Sequence, residues 1–312
     1  MIISASRRTD IPAHYSDWFF NRLKEGFVLV RNPMRPRQVS RIYLNPETVD
    51  GIVFWTKNPA PMLDRLHLLK PYTFYFQFTL TPYGPDVERT LPSKEKFIIP
   101  TFRKLSELIG PERIIWRYDP IFINDSYTAE YHIRRFGELA AALSPYTRRC
   151  TISFLDFYRN TKKNFAPCPI RPLPPNLQDF LARNLAATAH SCNLRIDACA
   201  EERVFSRYGI EKGRCIDDRL FGQLTGLAFR SIKDKNQRPQ CGCTESIDIG
   251  AYNTCQNGCL YCYANYSEKM IPRNIMKHDP TSPLLTGNIE PDDRITDRKL
   301  QTSIISSSLR IP

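Results

Sequence analysis

The stretch TFYFQFTL at residues 73–80 alternates without a break, so that Phe74, Phe76, Phe78 and Leu80 share one face and Thr73, Tyr75, Gln77 and Thr79 the other. Strict alternation over eight residues predicts a strand. A half-exposed antiparallel strand would turn its polar face to water, whereas in a barrel of parallel strands the greasy face packs under helices and the polar face looks inward at a ligand. The neighbouring segments decide for the second. Short β-rich runs recur at 1–5, 51–56, 113–118, 151–155, 194–197 and 247–252, and the stretches 15–24, 61–69, 94–108, 129–143 and 176–190 carry apolar residues at three- and four-residue spacing. This βα alternation predicts an α/β fold: a TIM-like (β/α) barrel, partial or closed, of about six or seven parallel strands.

The chain has 312 residues, 42% hydrophobic and 24% charged, which is enough to bury a substantial core without disulfides. It has no run of 18 or more apolar residues, and its start, MIISASRRTDIP, lacks the long apolar segment of a secretory signal. A cytoplasmic location is therefore expected, where closely spaced cysteines read as metal ligands or catalytic thiols. There are ten cysteines. The formal charge of +12 suits an anionic small molecule or nucleic acid as substrate, although the basic residues are scattered and no membrane partner is expected. The Pro-rich segments 33–36 and 167–175 read as loops, and the polar tail, with Ser306, Ser307 and Ser308 in a row, as loosely held. We divide the chain into a single barrel over 1–270, with a cysteine-rich insertion at 199–245 and a cluster loop at 253–263, and a polar extension over 271–312.

The strongest local pattern is TCQNGCLYCYAN at 254–265, where Cys255, Cys259 and Cys262 form CxxxCxxC directly after the apolar run IDIGAY. A loop of this length can wrap three corners of a 4Fe-4S cluster and leave the fourth iron open to a small molecule. The competing reading is a four-cysteine zinc site that joins Cys259 and Cys262 to Cys241 and Cys243 and leaves Cys255 unused. A second set, Cys199, Cys215, Cys241 and Cys243, has the count that closes an auxiliary 4Fe-4S cluster, with zinc or plain buried thiols as alternatives. Cys150, Cys168 and Cys192 have no ligand-like spacing and read as small core or loop residues.

The triad segment resembles the signature of radical S-adenosylmethionine enzymes, including Tyr261 just before the third cysteine. The resemblance implies that the open iron binds the amino and carboxylate groups of S-adenosylmethionine, that an electron from the cluster cleaves it to a 5′-deoxyadenosyl radical, and that this radical takes hydrogen from substrate. It also implies a reductant such as a flavodoxin or ferredoxin. In that family the triad follows the first barrel strand, whereas here it comes after residue 250. A circular permutation accounts for this. The strand at 247–252 then takes the first place and SASRRTDIP the second-strand loop, followed by GIVFWTKNP, TFYFQFTLT, RIIWRYDPI and CTISFLDFY as third to sixth. These segments also resemble the spore photoproduct lyase-like branch, and the whole chain resembles a bacterial family known as a domain of unknown function (number 1848). That family supplies fold and cofactor but no substrate.

Active sites of parallel barrels form at the C-terminal strand ends, which selects Lys57, Arg117 and Asp119 as catalytic candidates. Alternation along RIIWRYDP puts Arg117 and Asp119 on one face, where Arg117 can hold a carboxylate or the two can satisfy each other. If the permutation holds, Arg8 and Asp10 in the loop after the first strand, together with Tyr261 and Arg117, bind the cofactor. Tyr118, Tyr261 and Tyr263 are candidates for radical relay or for packing. The expected function is a radical S-adenosylmethionine enzyme. The alternative is a non-catalytic zinc- or iron-sulfur-stabilised binding protein, one that binds nucleic acid.

Overall fold

The computed structural model describes residues 1–156, 159–166 and 168–305. The expectations for Phe157 and Tyr158 at the end of CTISFLDFY, for Pro167 and for the serine run at 306–308 lie outside the described residues. In chain order the strands are β1 (Ile2–Ala5), β2 (Phe27–Arg31), β3 (Gln38–Tyr43), β4 (Gly51–Thr56), β5 (Phe74–Thr79), β6 (Ile114–Ile121), β7 (Arg149–Phe154), β8 (Arg195–Ala198), β9 (Glu211–Lys212), β10 (Ile247–Asp248) and β11 (Arg294–Asp297). Eight of them form one sheet in the order β10-β1-β4-β5-β6-β7-β8-β9, and every pairing in it is parallel.

Parallel sheets need cover on both faces, and the two faces of β5 show how this chain supplies it. On the outer face Phe76 stacks on Phe54 at 4.7 Å and Phe78 meets Phe102 of the helix Ile99–Ile109 at 4.8 Å. Next to them Trp116 stacks at 5.0 Å on Phe136 of the helix Ala129–Leu143. On the inner face the Tyr75 hydroxyl and the Gln77 amide both donate to the Cys215 carbonyl, each at 2.8 Å. Phe221, from the short helix Asp218–Thr225, lies against the Tyr75 ring at 5.0 Å. The cysteine-rich segment therefore plugs the lower part of the concave face, where Cys215, Ile216 and Phe221 pack on Ile2, Val53 and Ile115.

The closed form of the predicted barrel is not formed. The edge strands β10 and β9 are not paired with each other, and the sheet has eight strands rather than six or seven. Both edge strands are two residues long, too short for a ladder between them, and the plug already occupies the space that closure would enclose. The strand expected over 247–252 stops after Asp248 because that carboxylate accepts the Gly250 N–H at 3.0 Å and turns the chain.

The sequence reading missed a second, three-stranded sheet in the order β11-β3-β2, in which the Pro-rich loop 33–36 joins the antiparallel pair β2–β3. It also corrects the expectation of a loose tail. β11 pairs with β3, the Trp18 indole donates to the Ser282 carbonyl at 2.9 Å, and Leu284 is buried between Leu29 and Val39. No helix among the described residues is long and apolar enough to cross a membrane.

His132, on the helix Ala129–Leu143 beside β6 of the eight-stranded sheet, is fully buried, with one ring nitrogen 2.9 Å from the Tyr118 hydroxyl and the other 2.8 Å from the Phe122 carbonyl. Burial lowers its pKa to about 4. The folded value lies below the unfolded one, so its contribution is complete at neutral pH and is lost as pH falls and the unfolded chain takes the proton first. Between pH 7 and pH 5 this costs roughly 2 kcal/mol. Urea unfolding at the two pH values should show that loss, and His132→Gln should remove most of the difference while lowering stability at both.

Candidate functional site

Strand β10, which leads into the cysteine triad, pairs with β1 at the start of the chain through Ile3↔Ile247 and Ser4↔Asp248. This is the adjacency that a permuted order of strands requires. The join is polar and specific: Asp248 accepts from the hydroxyls of Ser4 at 3.0 Å and Ser6 at 2.5 Å and from the Arg7 N–H at 2.8 Å. Gly250 lies so close that a Cβ there would stand 2.2 Å from the Ser6 hydroxyl, which fixes how the loop leaves the sheet.

The triad loop is held from several directions. Tyr15 donates to the Thr254 carbonyl at 2.6 Å, Thr90 to that of Gln256 at 2.6 Å, and Asn265 to that of Cys255 at 2.7 Å. Cys259 bridges to Glu88, and the Leu260 N–H reaches the Val87 carbonyl at 3.0 Å, which docks the loop on the segment after β5. Asp10 ties three pieces together. It caps the helix Ile11–His14 through the Ala13 N–H at 3.0 Å and accepts the Lys57 N–H at 2.7 Å and the Asn257 amide at 3.0 Å.

Beside Cys259 lies a buried charge network that sequence reasoning missed. The Lys57 ammonium donates to Glu88 at 2.7 Å and Lys94 pairs with its other oxygen at 2.6 Å, while Thr81 at 2.8 Å and Tyr261 also donate to it. Burial pushes the Glu88 carboxyl up, but the two ammonium groups outweigh it and hold it down to about 2. Burial also works against the charge on Lys57, which the Glu88 carboxylate more than offsets; for Lys94 burial wins and the pKa falls. Burial pushes the Cys259 thiol up to about 12 against the opposing pull of Lys57, and raises Cys255 and Cys262. These thiols become ligands only when a metal displaces their protons.

The second cysteine set gathers on the other side of the same space. The Sγ atoms of Cys199 and Cys215 are 3.0 Å apart, and Cys243 receives the Ile216 N–H at 3.4 Å. Arg117 grips Asp119 with two nitrogens, one of them at 3.0 Å, and turns Nη1 to Gln77 at 3.2 Å and to the Cys215 sulfur at 2.7 Å. Arg117 and Asp119 thus satisfy each other, and the remaining Arg117 donor serves the second thiol set.

All seven of these cysteines line one cavity of about 570 Å³, together with Arg8, Asp10, Lys57, Arg117, Asp119 and Tyr261. Tyr263 is also on its wall, whereas Tyr118 is not: it is buried on the outer face against Trp116 and Phe136, a packing residue. Another cavity, of about 410 Å³, opens at the opposite, N-terminal ends of β1 and β10 and has no cysteine in its lining. Arg8 reaches the Gly250 carbonyl at 3.4 Å and lies over Tyr252, while the Tyr263 hydroxyl donates to the Arg7 carbonyl at 2.9 Å. Among the described residues no three His, Cys, Asp or Glu side chains already converge on a metal position. The donor set nevertheless fits an iron-sulfur group: three soft thiols in one loop line a cavity of about 570 Å³. Arg7 Nη2, Thr9 Oγ1, Trp55 Nε1 and Asn265 Oδ1, all from lining residues, are buried without a hydrogen-bond partner. Such groups call for a bound partner. The zinc grouping of Cys241 and Cys243 with Cys259 and Cys262 gains no support, because Cys241 and Cys243 face Cys215.

Glu88, Lys94, Asn257 and Asp248 escaped the sequence reading. The rule that selected Lys57 also reaches Glu88, which follows β5 at the same end of the sheet.

Residues 2–264 match the family described as "Domain of unknown function (DUF1848)". No curated protein matches the chain. Among solved structures, the Xanthomonas citri FimX EAL domain in complex with c-diGMP is similar at 12% identity and a TM-score of 0.22, over 64% of this chain and 89% of that one, a likeness that carries no argument.

Proposed function

The chain belongs to the family described as Domain of unknown function (DUF1848), whose description names no reaction, and we propose from the site itself that this member is a radical S-adenosylmethionine enzyme. The observation that carries the reading is the placement of Cys255, Cys259 and Cys262 in one loop beyond β10, next to β1, at the mouth of the shared cavity. These three thiols would hold a 4Fe-4S cluster. When bound there, the cluster and S-adenosylmethionine supply a one-electron reductive cleavage and, through it, hydrogen abstraction from a substrate.

The chain's own residues do the rest. Asp10 and Asn257 orient the loop, and Lys57, kept protonated by Glu88, sets a fixed positive charge beside Cys259. Tyr261 is anchored through its hydroxyl to Glu88, so its ring closes one side of the cavity. Arg8 is the cofactor-side cation, held over Tyr252 at 5.0 Å. Arg117 and Asp119, paired with each other, form the far wall, and the net basic charge of the chain suits an anionic small molecule or nucleic acid as substrate. A flavodoxin or ferredoxin in the cytoplasm would deliver the electron.

The test is anaerobic reconstitution with iron and sulfide, followed by dithionite and S-adenosylmethionine. 5′-Deoxyadenosine should form with the wild-type chain and drop to background in Cys259→Ala. A verified, reducible 4Fe-4S protein that makes none would move the assignment to a metal-stabilised binding protein.

A further inference from the structure

We propose that Cys199, Cys215, Cys241 and Cys243 form a separate site for one tetrahedral zinc ion rather than a second iron-sulfur cluster. Tetrahedral four-sulfur sites take either, and sulfur spacing tells them apart. A zinc ion with Zn–S bonds of about 2.3 Å holds its sulfurs roughly 3.8 Å apart. A cubane interposes iron and sulfide between each pair of cysteines and keeps them much further apart. Cys199 and Cys215 stand 3.0 Å apart, so a small rotation admits a single ion, whereas a cluster would force the segments apart.

The segments cannot easily separate. A Cβ on Gly242, between Cys241 and Cys243, would lie 2.8 Å from the Gly213 carbonyl oxygen, so the two cysteine loops meet backbone to backbone. The Cys215 carbonyl is clamped by Tyr75 and Gln77, and the Cys243 N–H reaches the Cys241 sulfur at 3.5 Å.

The surroundings suit four thiolates. The Arg117 guanidinium donates to the Cys215 sulfur at 2.7 Å, backbone N–H groups reach the sulfurs of Cys243 at 3.4 Å and Cys241 at 3.5 Å, and Arg7 has an unpartnered buried nitrogen in this region. Such N–H···S contacts offset the negative charge of a zinc tetrathiolate. Binding releases the four thiol protons to solvent and involves no electron transfer.

The test uses the full chain with Cys255, Cys259 and Cys262 all replaced by serine, incubated in separate arms with zinc and with iron plus sulfide. We expect about one zinc per chain, an X-ray absorption spectrum of four sulfurs at about 2.3 Å, and no 4Fe-4S absorbance. Adding Cys215→Ser and Cys243→Ser should remove the zinc. Should that variant fail to fold, the sulfur count in the spectrum of the zinc-loaded triad-less chain decides the ligand set. Four iron per chain in the triad-less protein, a Cys199–Cys215 disulfide in place of metal, or zinc bound with fewer than three sulfurs would overturn the proposal. Each readout is metal content or ligation, so its failure is separate from any failure of S-adenosylmethionine cleavage.

Discussion

Glu88→Ala should destabilise the protein by about 3–5 kcal/mol, the cost of breaking a buried ion pair by removing one partner. Here one carboxylate serves two ammonium groups, Lys57 and Lys94, whose side chains are only 10% and 12% exposed. Its removal leaves both charges in a place that water barely reaches and also frees the Thr81 and Tyr261 hydroxyls. Because Tyr261 of the triad loop is anchored to that carboxylate, the loop should loosen as well. A urea titration reads the stability loss, and a fall in iron retained after reconstitution reads the loosening. Glu88→Gln keeps the shape without the charge and should lie between the two. A loss under about 1 kcal/mol in the alanine variant would mean that the pairs behave as exposed ones.

The second large effect is expected at Arg149, on the inner face of β7. Its guanidinium bonds Asp197, Asp217 at 2.8 Å and the Arg214 carbonyl at 3.3 Å, so one side chain holds β8 and the cysteine-rich plug to the sheet. The two carboxylates are not equally served. Burial raises Asp197, whose Oδ1 has no partner, whereas Arg149 and Arg219 outweigh burial and hold Asp217 down. Arg149→Leu leaves two buried carboxylates against an apolar surface and should cost about 3–5 kcal/mol. Asp197→Asn should cost clearly less, because Arg149 retains Asp217. Equal losses in the two variants would show that Asp197 carries the link by itself.

Much of this architecture could be read from residue types. The alternation of 73–80 orients β5 correctly, with Phe76 and Phe78 outward and Tyr75 and Gln77 inward, since period-two burial is a local property. The CxxxCxxC spacing and the charged strand ends located the cavity wall. The reading failed where the determinants are non-local. β9 and β10 have two residues each and exist only because a neighbour offers backbone partners. β11 adds to β3 from more than 250 residues away, so a polar tail became a strand that composition could not reveal. Glu88 sits in a Pro- and Gly-containing loop without periodicity, and only the fold brings two lysines to it. Arg117 was visible, but its commitment to Asp119 and Cys215 depends on where the plug lands.

The hydrogen bond between Ser4 and Asp248 spans 244 residues. On a ribosome adding roughly 5–20 residues per second, β1 emerges some 12 to 50 s before its partner exists. During that interval one side of β1 can pair with β4, while the other is an open strand edge with unfilled backbone groups. The cavity is thus built from its wall toward its cysteines: the sheet that lines it is made first, and the loop that carries the triad arrives last. A chain stalled or cut short before residue 247 would keep most of its parallel sheet and lack the triad entirely.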